Sequence, residues 1–272
     1  MNRENYIQKI QAELAMATAA EVSDAFLSPH INAEFFLKAL DEEGPSLWIV
    51  NRSDVWNETL ELLSKHRLQG ISGRALEKIK QRNSKIYTLP PPALPKNFTS
   101  ITDDSVEDFL GHPMAPFQAI LFFARSLVED HRASAALSFS RRLLEYPPNW
   151  FEEKISKSEI MEKMSSLLQD PSPYVRAYAA RNPMLESSNI ASALKSENNP
   201  EVRVRLIQHP ATPENSVEEI VLEKSAINAD STLQFVASMD ARLSPKARSE
   251  ALKNRELPEI TRCVHLWHLA SN

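Results

Sequence analysis

Apolar residues recur along this chain at helical spacing, in short bursts. Ile7, Ile10, Leu14 and Ala17 fall on one face of a first helix, and Phe35, Phe36 and Leu40 form a second stripe after the break at Ser28-Pro29. Leu60 and Leu63 form a third, which has turned polar by Arg67. Ile71, Leu76 and Ile79 form a fourth, after Gly70. No stretch alternates strictly, and β-branched residues are scattered rather than grouped. The pattern predicts short helices, about two to four turns each, and no sheet.

Further along, the pattern becomes periodic. Pro173-Tyr174-Val175-Arg176, followed by Asn182-Pro183, returns as Pro200-Glu201-Val202-Arg203, followed by His209-Pro210. Each shared position advances by 27 residues, as in 173 to 200, 175 to 202, 176 to 203 and 183 to 210. A fixed period of roughly 20–50 residues is the signature of stacked units that bury their apolar faces against one another. Within one unit, Asp170-Pro171 or Asn199-Pro200 is expected to cap and open a helix. Val175 and Ala179, then Val202 and Leu206, stand at i and i+4 facing the core. Asn182-Pro183 and His209-Pro210 are expected to end it. A second helix then carries Ile190 and Leu194, matched one period on by Val217 and Val221. Weaker echoes occur at Asp240-Ala241-Arg242-Leu243-Ser244-Pro245, at Asn254-Arg255-Glu256-Leu257-Pro258 and at His66-Arg67-Leu68-Gln69.

Composition narrows the classes. Only 4 glycines stand against 18 prolines in 272 residues, which disfavours hairpins and glycine-rich phosphate loops and suits helices separated by proline turns. Residues 89–95 read Leu-Pro-Pro-Pro-Ala-Leu-Pro, a density of proline that no helix survives. The expected division is therefore an N-terminal helical region over 1–88, a proline-rich connector over 89–102, and helical repeats with a C-terminal capping helix over 103–272. The PxxP within Pro92-Ala93-Leu94-Pro95 reads better as linker than as ligand. A formal net charge of −5 lacks the basic footprint of an obligate nucleic-acid binder. The single cysteine, Cys263, excludes an internal disulfide. The first residues lead into an amphipathic pattern with no signal-peptide core, and the longest apolar run, Ala119–Ala124, is too short to span a bilayer, so the expected location is cytoplasmic.

The stretches Val175-Arg176-Ala177-Tyr178-Ala179-Ala180-Arg181-Asn182-Pro183 and Val202-Arg203-Val204-Arg205-Leu206-Ile207-Gln208-His209-Pro210 resemble the leucine-rich repeat variant family and the wider HEAT-like helical repeats. The resemblance implies an all-α fold, an irregular α-solenoid of short helices with a concave face, and no reaction. It also implies core roles for Val175 and Val202 and an inter-repeat ladder role for Arg176 and Arg203. The cysteine-ligated cluster found in some members does not carry over to a chain whose only cysteine is Cys263.

Two sets of cations are candidate binding residues. Arg176, Arg181, Arg203 and Arg205 can form a ridge for a partner's phosphates or carboxylates, because the guanidinium fork pairs bidentately with such groups. The competing reading is a structural ladder answered by Asp170, Glu197 and Glu201. Arg74, Lys78, Lys80 and Arg82 belong to the one strong charge run and can form an anion-binding stripe. With no aromatic residue among them, base stacking has no support, and a solvated helix face is the simpler reading. Cys263, His265 and His268 lack a fourth ligand for zinc and read as packing residues. No catalytic motif occurs, so no catalytic residue and no cofactor is expected. The expected function is a non-catalytic scaffold or adaptor that binds a protein or peptide on a concave face. The alternative is a nucleic-acid-binding helical-repeat protein that uses the basic stripe and the Arg ladder.

Overall fold

Helix follows helix, many of them opened by a small polar cap or a proline and most closed after two or three turns. The computed structural model describes residues 2–41, 43–52, 55–84, 101, 105–112, 115–145, 156–223 and 231–270. Among these the only extended pairing is an isolated bridge between Ile31 and Asp240, so the described chain is all-α. The connector expected at 89–102 lies, apart from Ile101, outside the described residues.

In chain order the helices are α1 (Arg3–Leu14), α2 (Ala19–Ala25), α3 (Ala33–Ala39), α4 (Glu43–Asn51), α5 (Asn57–Leu63) and α6 (Gln69–Ser84). Then come α7 (Val106–Gly111), α8 (Phe117–Phe123), α9 (Glu129–Glu145), α10 (Lys157–Leu167), α11 (Pro173–Ala179), α12 (Ser187–Ser196) and α13 (Pro200–Ile207). The last are α14 (Glu214–Val221), α15 (Ser231–Ser238), α16 (Pro245–Ala251) and α17 (Glu259–Leu269). They group into two compact units, one of Met1–Ile79 with Ile207–Asn272 and one of Lys80–Leu206. These limits fall elsewhere than the sequence boundaries at 88 and 103.

The spacing of helix starts has a common measure. From Ala19 to Ala33, Glu43 to Asn57, Pro173 to Ser187, Pro200 to Glu214, Ser231 to Pro245 and Pro245 to Glu259, the step is 14 residues each time. A helix of about two turns plus a turn of fixed design fills that step. The design is visible in the hydrogen bonds. One to three residues after the helix, one side chain accepts the backbone N–H two positions on, as in an Asx turn. Asn182 Oδ1 takes Met184 N at 2.9 Å, His209 Nδ1 takes Ala211 N at 3.0 Å, Asp240 Oδ1 takes Arg242 N at 2.9 Å and Asn254 Oδ1 takes Glu256 N at 3.0 Å. Ser28, His66, Ser126, Asp170 and Glu197 do the same for His30, Leu68, Val128, Ser172 and Asn199. His209 is thus a turn residue in the slot of Asn182. Asp170 is not the helix cap expected from sequence. Ser172 is, through Val175 N, and Pro173 is the first helical residue, whereas in the next copy Asn199 caps Val202 as expected.

The first unit draws its core from distant parts of the chain. α1 packs along α17, with Lys9 Nζ 3.0 Å from Glu259 and the Arg3 guanidinium 3.8 Å above the Trp267 ring. Trp267 meets Phe35 of α3 edge-on at 5.1 Å, and Phe26 sits among Phe35, Phe36 and Phe235. Each such ring, fully buried, contributes on the order of 2 kcal/mol of hydrophobic stabilisation. Gln208 donates its amide to the carbonyls of Asp24 and Ala25 at the end of α2, which the helix itself leaves open. α17 therefore covers the N-terminal helices.

In the second unit α9 is the hub, and α7, α8, α10 and α11 all pack on it. Its buried face is rich in alanine (Ala133, Ala135, Ala136), which lets neighbouring backbones approach, with Phe139 meeting Phe117 at 5.9 Å. α8, which holds most of the apolar run Ala119–Ala124, is only seven residues long, because the chain turns at Ala124-Arg125-Ser126 before α9 begins. Val175, Ala179, Ile190, Leu194, Val202 and Leu206 are buried, as their spacing predicts.

Candidate binding surfaces

Every cation singled out from the sequence has a definite place. Arg176, the fourth residue of α11, forks onto Glu197 with Nε and Nη2 at 2.6 and 2.9 Å. Its Nη1 reaches back to the carbonyls of Asp170 and Pro171. Arg132, the fourth residue of α9, makes the same construction one step earlier. It forks onto the Asp170 carboxylate at 2.7 and 3.0 Å and donates to the Ser126 and Leu127 carbonyls. Asp170 and Glu197 stand 27 residues apart and occupy one repeat position, so carboxylate, carbonyl and guanidinium alternate along the unit as a ladder. Burial pushes both carboxyls up. The Arg forks and the turn N–H groups outweigh it and hold both below the ordinary carboxylate range. Arg205 lies 4.0 Å from Glu201 and is nearly buried, while Arg181 sits 5.8 Å from the Tyr178 ring. Arg203, at the Arg176 position of the next copy, is the fourth residue of α13.

Two members of the basic stripe reach α4, Arg74 from an exposed position and Lys78 from a half-buried one. Arg74 donates to Asn51 Oδ1 at 3.2 Å, and Lys78 Nζ donates to the carbonyls of Val50 and Arg52, so both serve the C-terminal end of α4, where cations are favoured. Lys80 is exposed and Arg82 half-buried. The apolar side of α6 is Ile71 with Ala75. Leu76, expected on that side, is 55% exposed because it lies off the 3.6-residue face.

The histidines of α17 serve packing. Cys263 is buried with its Sγ toward the Glu259 carboxylate, and burial raises its thiol pKa. Burial and the nearby Arg248 push His265 and His268 down to about 3, so both are neutral. No group of three metal-ligating side chains gathers among the described residues, and no described helix is long and apolar enough to cross a membrane.

A surface in the second unit was not singled out by motif. Tyr174 and Tyr178 stand one turn apart on α11, ring centroids 4.9 Å apart and nearly perpendicular, hydroxyls 3.3 Å apart. With Leu137, Ala133, Ser134 and His131 of α9 they line a groove of about 290 Å³, whose rim carries Glu107 and Asp130. Tyr174 is 46% exposed, Val128 at the groove edge is 42% exposed, and Leu127 beside it is fully exposed. The hydrogen bond with Tyr178, burial, and the nearby carboxylates of Glu107 and Asp130 raise the Tyr174 phenol well above its ordinary value, so it stays protonated. Exposed aromatic and aliphatic side chains thus stand beside carboxylates, a combination whose chemistry favours apolar and cationic groups. The signal in the sequence was a pair of tyrosines four residues apart on the face away from Val175 and Ala179.

Compared with protein-family models, curated proteins and solved structures, the chain matches none.

Proposed function

We propose that this chain is a non-catalytic scaffold or adaptor, an irregular α-solenoid of HEAT-like or leucine-rich-repeat-variant layers that binds a protein partner. The partner segment is a Lys- or Arg-bearing peptide laid in the groove between α9 and α11. The observation that supports this reading is the Tyr174–Tyr178 pair, half open to solvent and flanked by Glu107 and Asp130. A cationic side chain over a tyrosine face gains about 0.5–1 kcal/mol at an exposed site, and adjacent carboxylates add to it. The nucleic-acid alternative draws less support, since Arg74 and Lys78 are turned onto α4.

Selection from a displayed random-peptide library tests it. The expected result is enrichment of peptides carrying Lys or Arg next to an apolar residue, with enrichment lost for Asp130→Lys at unchanged melting temperature. Enrichment of acidic peptides, or the same peptides selected by Asp130→Lys, contradicts it.

A further inference from the structure

A cavity in the first unit has the opposite electrostatic character. It measures about 510 Å³ and is lined by Arg3 from α1, Asn32 and Glu34 at the start of α3, Arg242 and Ser244 in the turn before α16, Arg248 of α16, and His268 of α17. Three guanidinium groups thus face one lining carboxylate.

Two of the three are balanced within the protein. Arg3 pairs with Glu34 at 3.0 Å. Arg242 forks onto Asp240 at 2.6 and 3.0 Å and donates to the Thr212 carbonyl. Arg248 is different. It is 3% exposed, and its Nη1 and Nη2 donate to the carbonyls of Ser238 and Asp240. It makes no salt bridge with a described carboxylate, and Asp240, whose charge reaches it at longer range, is already forked by Arg242. Buried charges ordinarily have a counter-charge. Donors are also left over. Arg3 Nε and His268 Nε2 are both buried from solvent and make no hydrogen bond, and both residues line this cavity. One unbalanced positive charge and two open ring or guanidinium nitrogens define what is missing, a single negative charge with at least two acceptor oxygens.

We propose that this cavity is a binding site for the carboxylate of a small organic acid, with Arg248 as counter-charge and Arg3 Nε and His268 Nε2 as its hydrogen-bond donors. A carboxylate supplies one negative charge and two planar oxygens, the complement of a guanidinium edge. The cavity has room beyond the carboxylate for the body of the acid, which Asn32 and Ser244 would border. The site belongs wholly to the first unit and is independent of the α9–α11 groove.

Acetate is the probe, with phosphate as the competing oxyanion and chloride holding ionic strength constant. Arg Nε–H and imidazole signals are followed by ¹H–¹⁵N correlation spectra of the full chain. The expected result is a saturable shift of the Arg3 Nε–H and His268 imidazole signals with acetate, and affinity at least roughly tenfold weaker in Arg248→Met, the loss of one charge-assisted contact. Arg3→Met leaves Arg248 and its carbonyl bonds in place, and in protein whose spectrum is still that of the folded chain it must weaken acetate binding even if Arg248→Met unfolds. Signals that move no more with acetate than with chloride overturn the proposal. So does binding that persists undiminished in Arg3→Met. Saturation by phosphate without any by acetate overturns the carboxylate assignment.

Discussion

Arg176 and Glu197 show what a single repeat position does. The guanidinium satisfies two carbonyls of the preceding turn and the carboxylate of the following one, and that carboxylate in turn accepts the N–H of Asn199. Both side chains are largely buried, so removing one strands the other. Glu197→Ala is expected to destabilise the chain by about 3 kcal/mol, read from urea or thermal unfolding, because an uncompensated charge remains in the interior. A change within about 0.5 kcal/mol would place the pair on a solvated face instead. Val175, Val202 and their partners were legible from spacing alone, since burial on a helix follows a period of 3.6. The rest of the ladder was not. Arg132 stands 44 residues before Arg176, off the 27-residue register, and only the fold places it at the same position of its helix. Nor does spacing distinguish a lysine that serves a neighbouring helix end, like Lys78, from one that faces water.

At the scale of elements, the recurring unit is a helix of about two turns closed by a side chain that accepts the N–H two residues on. Asn, Asp, Ser, His and Glu all fill that slot, which explains why the echoes of the repeat looked degraded in sequence while the geometry is kept. A short polar acceptor is required there, not a particular residue. α17 carries a different constraint, two neutral histidines facing Arg248 and, for His268, Arg3. Their folded values of about 3 lie below the ordinary 6.5, so between those limits the unfolded chain binds protons that the folded chain refuses. Stability is full above about pH 6.5 and falls as the pH drops toward 3, by at most about 1.4 kcal/mol per pH unit for each histidine. Thermal unfolding between pH 7 and pH 5 checks this, and His265→Leu is expected to flatten the slope by about half. A melting temperature constant across that range would mean that the histidines are not held neutral by the fold.

At the scale of the molecule, no spacing rule brings the first helix of the chain onto the last. That pairing is set by long-range packing of Phe26, Phe35, Phe235 and Trp267, and apolar pattern alone is blind to which stripe meets which. Charge is distributed in the same non-local way. The chain is acidic overall, yet the first unit encloses a cationic cavity and the second presents an acidic, aromatic groove. The groove carries the proposed function, and the most direct test of it is the affinity of a fluorescent Lys/Arg-bearing peptide for the whole chain. The wild type is to be compared with Tyr174→Ala and with the Tyr174→Ala/Asp130→Lys pair. The account predicts saturable binding that weakens as salt is raised, a loss of about fivefold for the single variant and more than about tenfold for the pair, with melting temperatures unchanged. Equal affinity across the three proteins, or no saturable binding of any basic peptide, would contradict it.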